Sequence, residues 1–279
     1  MNRPTSTIPP EAAFVLGAVS QYLGAAVAVG LFDHLRPATV AVVRVASAAV
    51  IIVVIRRPWR RRWTRADLGW ATLFGVALAS MNLSIYLALE ELPLGNAVAI
   101  EFLGPITVAA AGTRTARSAI ALLTAAAGVV ILAGVQSEGT VRGVGFALLA
   151  GLFWAGYIVL GHRVARRGTA IDGLGVGMLA GAVAISPFGV SGLGEGLERP
   201  SLLMLAGLAG LLSNVVPYVI DQLVMRHISR GRFAFLQALL PMTAVVVGLV
   251  TLSQTPGPRE VLGIGLVVVA IAVRGSREQ

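Results

Sequence analysis

The sequence predicts an all-α membrane protein, with ten transmembrane helices arranged as two inverted five-helix repeats. Three observations carry that expectation. The 279-residue chain is 56% hydrophobic and 13% charged, with a mean hydropathy of +0.83, whereas soluble domains carry about 25% charged residues. Its apolar residues gather into ten segments, approximately 13–31, 38–55, 68–88, 95–112, 118–135, 143–160, 173–190, 202–222, 233–252 and 261–273. The polar landmarks within those segments return at an offset of 136 residues.

Most of the segments approach the ~20 residues that cross a ~30 Å hydrocarbon core as a helix. Lipid offers no partner to free backbone groups, so a span must be a helix or part of a closed barrel. Runs this long without alternation exclude strands. Span 1 starts after a single basic residue, Arg3, and its apolar run exceeds the roughly 7 to 15 residues of a signal-peptide core, so it is read as a retained helix. Span 2 holds Arg44 and runs into Arg56-Arg57-Pro58-Trp59-Arg60-Arg61-Arg62-Trp63. Span 3 carries Asn82 and Tyr86 at helical spacing and ends on Glu90-Glu91, which are read as solvated. Span 4 holds Glu101, the only charge between Leu92 and Ala111, one turn before Gly104-Pro105. Span 6 carries Trp154 and Tyr157. Span 8 carries Asn214, Pro217, Tyr218 and Asp221 at i, i+3, i+4 and i+7, the spacing of one helical face. Span 10 is free of charge only from Val261 to Val273. Alone it would read as a buried or re-entrant piece, but the repeat places it on span 5.

At the 136-residue offset Gln21 meets Tyr157, Asn82 meets Tyr218, Glu101 meets Gln237, Leu94-Gly95 meets Arg230-Gly231, and Gly104-Pro105 meets Leu240-Pro241. Residues 1–137 and 138–279 are therefore read as two copies of one five-helix unit. Five being odd, the second copy enters the membrane from the opposite side. Secondary transporters built this way place their sites between the repeats near the midplane and rock one half against the other. The inverted repeat argues for transport; the alternative is a duplication with no mechanism attached.

All 22 basic residues are arginine. With the N-terminus inside, 17 fall on inner segments, four (Arg36, Arg142, Arg199, Arg259) fall outside, and Arg44 lies within a span. The positive-inside rule then puts both termini in the cytoplasm. The net charge of +9 is read as a topology signal at the lipid headgroups and not as a nucleic-acid surface. With no cysteine, disulfides, thiol catalysis and thiolate metal sites are excluded. His34, His162 and His227 show no metal-ligand spacing and there is no GxxxxGK[ST] motif, so no metal or cofactor is expected and energy must come from gradients.

An ionisable group in lipid costs roughly 2.5 to 3.5 kcal/mol on insertion scales, so it normally faces protein or a wet cavity and marks a functional site. Arg44 and Glu101 each stand six residues into a span that descends from the outside, hence roughly 9 Å below the outer edge, where they can meet. Such a pair either holds a zwitterion, arginine taking a carboxylate and glutamate an ammonium, or pins spans 2 and 4 together. The candidate substrate-binding residues are Glu101, Arg44, Gln21, Asn82, Tyr86, Tyr157, Tyr218 and Gln237. Glu101 and Asp221 are the candidates for proton coupling. The expected partners are a small-molecule substrate, protons and the bilayer, with a homodimer left open.

At these residues the chain resembles the drug/metabolite transporter superfamily with its paired EamA-type halves, and within it the threonine/homoserine exporter branch. The resemblance spans nearly the whole chain. Its most specific piece is Pro93 to Pro105 (PLGNAVAIEFLGP), supported by Arg44, Pro58-Trp59-Arg60, Phe153-Trp154-Ala155-Gly156-Tyr157-Ile158 and Pro217-Tyr218. It implies ten helices and export of small amino acids across the inner membrane in exchange for protons. This chain departs in its second half, with Leu240 in place of a glutamate before the span 9 proline, Asp221 in place of a glutamate, and Ser253-Gln254 in place of Gly-Glu. The alternatives are efflux of cationic drugs or other metabolites, and, from another class, a membrane enzyme or structural subunit. For an enzyme the sequence offers no nucleophile and base pair and no metal cluster.

Overall fold

Apolar composition without a β period makes helices, and the computed structural model is built from them. It describes residues 10–111, 115–134, 141–225, 237, 239–253 and 255–275. The expectations placed on Arg3, Arg114, Arg226, Arg230, Gly231, Arg232, Gln254 and Arg277 fall outside those residues. The helices are α1 (Pro10–Val29), α2 (Pro37–Arg56), α3 (Arg65–Leu89), α4 (Leu94–Glu101), α5 (Leu103–Ala111), α6 (Ala116–Gly134), α7 (Val141–Arg166), α8 (Ala170–Gly189), α9 (Leu193–Glu198), α10 (Pro200–Gly210), α11 (Val216–Met225), α12 (Leu239–Leu252) and α13 (Pro258–Gly275).

Among the described residues, six stretches are long and apolar enough to cross a membrane: Ala12–Val29, Pro37–Arg56, Arg65–Leu89, Val141–Arg166, Ala170–Glu198 and Pro200–Met225. The protein is a multi-pass membrane protein. Local chemistry sets the ends. Pro37 opens α2, where a missing N–H costs nothing, and Arg57 stops it in the left-handed region at φ 50°. Thr64 caps α3, its hydroxyl accepting from the Asp67 backbone N–H at 3.1 Å.

Two expected spans are interrupted, both at proline. Pro105 brings no N–H to the carbonyl four residues back, that of Glu101, and the helix breaks at Phe102 between α4 and α5. Between α10 and α11 lies a single π turn, Leu211–Val215. A π turn pairs each N–H with the carbonyl five residues earlier, as Val216 does with Leu211. Pro217 has no N–H for the next carbonyl, Leu212. The Ser20 hydroxyl of α1 donates to that carbonyl instead, at 2.6 Å.

The packing joins the two halves of the chain. Helix α3 lies on α7 and α8, α2 on α8 and α10, α1 on α11 and α12, α4 and α5 on α7, and α6 on α13. Exchanging helices by the 136-residue offset turns the α1–α11 pair into α7–α3 and the α12–α1 pair into α5–α7. It leaves α2–α8 and α6–α13 unchanged. Several crossings bring backbone against backbone. A Cβ added at Gly75 of α3 would sit 1.7 Å from the Gly177 carbonyl oxygen of α8, and one at Gly104 of α5 would sit 1.9 Å from that of Gly151 on α7.

Candidate functional site

Where the two halves meet, helices α1, α3, α4, α7, α11 and α12 close on a cavity of about 20 Å³. Helix α1 presents Phe14, Gly17, Ala18 and Gln21, the i, i+3, i+4, i+7 face of one helix. Met81 comes from α3, Glu101 from the last residue of α4, Trp154 and Tyr157 from α7, and Pro217, Tyr218 and Asp221 from α11. Gln237 and Leu240 complete the wall. An ordered water needs roughly 10–15 Å³, so the cavity in this conformation has room for water and none for an amino acid.

The polar groups in this wall are partly bonded and partly free. Tyr157 Oη donates to Asp221 Oδ2 at 3.1 Å. Asn82 Nδ2 donates to the Leu78 carbonyl at 3.0 Å and to Tyr218 Oη at 3.0 Å. The Tyr157 and Tyr218 rings lie 5.6 Å apart, and Phe102 meets Trp154 edge-on at 5.0 Å. Glu101 is only 6% exposed. Among the described residues its carboxyl makes no hydrogen bond or ion pair, and Gln237 Oε1 has no partner either.

Arg44 does not reach Glu101. Equal depth placed the two residues in one layer, but α2 packs on α10 and the π turn, so the guanidinium points there. Its Nε donates to Ser213 Oγ at 3.2 Å, and its Nη2 donates to Ser213 Oγ and, at 3.1 Å, to Asn214 Oδ1. Ser213 Oγ in turn donates a hydrogen bond to the Ala209 carbonyl. The Tyr86 ring lies under the guanidinium, 4.0 Å from Cζ to centroid. No carboxylate stands within ion-pair distance of Arg44 among the described residues. Removing one partner of a buried ion pair costs about 3–5 kcal/mol because it leaves the other charge uncompensated, and Arg44 occupies that position here.

The expected face of span 8 is also redrawn. The π turn inserts a residue, so Asn214 turns to Arg44 while Pro217, Tyr218 and Asp221 face the cavity. Of the predicted residues, Gln21, Glu101, Tyr157, Tyr218, Asp221 and Gln237 line the cavity. Asn82 touches its wall through Tyr218, and Arg44 and Tyr86 form a separate cluster. Sequence reasoning missed Ser213, Ser20 and the fully buried Gln222. A lone intramembrane arginine with no carboxylate on its own helix signals that polar neutral partners must exist elsewhere, and Ser213-Asn214 is the strongest such pair in the second half. Among the described residues no group of three His, Asp or Glu side chains is placed to hold a metal ion.

The description of the EamA-like transporter family matches residues 141–274. Threonine/homoserine exporter RhtA of Escherichia coli strain K12 is 30% identical over 251 residues, covering 88% of this chain and 84% of the exporter. RhtA of Salmonella typhimurium strain SL1344 gives the same identity and coverage. A solved crystal structure shares the fold with a TM-score of 0.61 at 19% identity, over 97% of this chain and 100% of that one. The chain belongs to the EamA-like transporter family, a family of transporters and not of enzymes, on the branch of the threonine/homoserine exporters.

Proposed function

We propose that this protein is a secondary transporter that exports small amino acids, threonine and homoserine foremost, across the inner membrane by proton antiport. In this reading the chain makes ten spans as two inverted five-helix repeats, residues 1–137 and 138–279, with both termini cytoplasmic. The mutual exchange of helix contacts under the 136-residue offset supports the repeat. Threonine/homoserine exporters as relatives support the substrate class.

One observation carries the site: Gln21 with Tyr157 and Glu101 with Gln237, each pair 136 residues apart, line the same cavity, and Asn82 bonds its own counterpart Tyr218 at the wall. A site between the repeats is where carriers of this construction bind their cargo. Glu101, buried and unpaired, takes the substrate ammonium in one state and a proton in the other. Asp221, held by Tyr157, is the second proton-coupling carboxylate. Arg44 and Tyr86 belong to the site from the flank. A homodimer is compatible with this arrangement.

The test is a counterflow screen over the amino acids in proteoliposomes, with and without a pH gradient. Threonine and homoserine should exchange, and an outward flux should respond to the gradient. If no amino acid moves while an aromatic cation quenches Trp154 and is displaced by protons, Glu101 is the counter-ion of a cation efflux protein instead.

A further inference from the structure

Arg44 spends only part of its hydrogen-bonding capacity. A guanidinium has five N–H donors and no acceptor; Nε and Nη2 are used, and among the described residues Nη1 has no partner. Two more polar atoms of the same cluster share that condition. Asn214 gives its carbonyl oxygen to Arg44 and leaves Nδ2 unpartnered, and Tyr86, stacked under the guanidinium, leaves Oη unpartnered. Arg44 and Tyr86 are each 2% exposed and Asn214 is 0% exposed. The free atoms at this place are thus an arginine amine, an amide amine and a phenol hydroxyl, three donors around one positive charge. A carboxylate, with two acceptor oxygens and a negative charge, is the group that satisfies them together.

The position relative to the cavity fits. Tyr86 lies four residues beyond Asn82 on α3, and Asn214 lies four before Tyr218, so the cluster stands about 6 Å, one helical turn, past the Asn82–Tyr218 bond at the cavity wall. The repeat shows that the charge is not demanded by packing. At the positions 136 residues away, Arg44 has Ala180, Tyr86 has Gln222, and Asn214 has Leu78. The equivalent place, among the counterpart helices α8, α11 and α3, has no arginine. The cluster therefore serves one side of the protein only.

We propose that Arg44, Tyr86 and Asn214 form the carboxylate subsite of the transport site and select solutes that carry a free carboxylate next to the ammonium. The proposal rests on the export reading above and adds to it which end of the amino acid each charge receives and which solutes are refused. The three donors are sealed in this structure, so the carboxylate reaches them when the cavity widens past Tyr218. Amines of the same shape without a carboxylate, cationic drugs included, leave the donors unsatisfied and are rejected.

The test uses the full chain, purified in detergent and reconstituted in liposomes. Tryptophan-monitored thermal unfolding is followed with L-threonine, threonine methyl ester, sodium acetate and sodium chloride at matched ionic strength. Counterflow is measured for wild type, Tyr86→Phe, Asn214→Leu, Arg44→Ala and Arg44→Lys. Threonine should protect and the ester should not. Asn214→Leu and Tyr86→Phe should raise KM for threonine about tenfold while acting little on kcat, and Arg44→Lys should restore part of what Arg44→Ala loses. An ester that competes as well as threonine, or an unchanged KM in both Asn214→Leu and Tyr86→Phe, overturns the subsite. Protection by chloride as strong as that by threonine marks a site for free inorganic anions and overturns it too. If no amino acid is transported, the export reading fails by itself. Acetate protection lost in Asn214→Leu then still supports a carboxylate site, and absence of any acetate protection overturns it.

Discussion

Asn82 Nδ2 donates to Tyr218 Oη at 3.0 Å, and the two residues stand 136 positions apart, at matching places in the two halves of the chain. Two positions related by an approximate twofold operation touch only near its axis. In the inverted-repeat reading proposed above, the bond marks the axis, and the cavity beside it is lined by two further pairs at the same offset, Gln21 with Tyr157 and Glu101 with Gln237. Asn82→Leu and Tyr218→Phe should each lower the unfolding midpoint in detergent, and the double variant should fall by less than the sum. The coupling should be about 0.5–1.5 kcal/mol. Strict additivity would show that the bond contributes nothing.

Glu101→Gln keeps the shape of the side chain and removes the charge that proton exchange requires. The variant should insert and unfold like the parent but lose the response of threonine flux to a pH gradient, while gradient-free counterflow persists at a rate reduced by roughly tenfold or more, about 1.4 kcal/mol in barrier terms. A flux that still follows the gradient would move the coupling role to Asp221.

Glycine at the helix crossings is a steric requirement that can be tested against an internal control. Gly75→Ala would place a methyl 1.7 Å from a backbone oxygen, whereas an added Cβ at Gly69, six residues earlier on the same helix, meets nothing within 4 Å. Gly75→Ala should destabilise by about 1–3 kcal/mol or more, since neither backbone can yield; Gly69→Ala, with open space and a better helix former, should hold or raise the unfolding midpoint. Equal behaviour of the two would mean that α3 and α8 sit farther apart than described.

Gln222 is 0% exposed, and among the described residues neither end of its amide has a partner. An unsatisfied buried amide costs about 1–3 kcal/mol, so Gln222→Leu, of similar volume, should hold or raise the unfolding temperature. A marked drop would reveal that the amide is engaged with a group of its own.

Much of this was readable in the residues. Hydropathy anticipates the all-helical build of the described residues, and the offset pairs name Gln21, Glu101, Tyr157, Tyr218, Gln237 and Leu240, six of the 13 residues in the cavity wall. What could not be read is lateral position. Arg44 and Glu101 share a depth, but depth is a single coordinate, and the packing of α2 on α10 sends the arginine to Ser213 and Asn214. The span 8 pattern failed for a related reason. A helical-face argument assumes 3.6 residues per turn throughout, and one π turn before Pro217 shifts Asn214 off the face by a residue. The break of span 4 at Phe102 was foreshadowed by Pro105, whereas Ser20 taking over the Leu212 carbonyl needed the fold.

The close crossing of Gly104 and Gly151 also limits how the protein can open. There is no layer of side chains between α5 and α7 on which one could slide, and a Cβ at Gly151 would already lie 2.6 Å from the Glu101 carbonyl oxygen. Glu101, Trp154 and Tyr157 therefore ride on one stiff lever. Widening the cavity falls to the opposite wall, α1, α11 and α12, whose displacement must also stretch the Tyr157–Asp221 bond. Distance labels on α5 and α7 should stay at fixed separation through a transport cycle, while labels on α1 and α7 part and return.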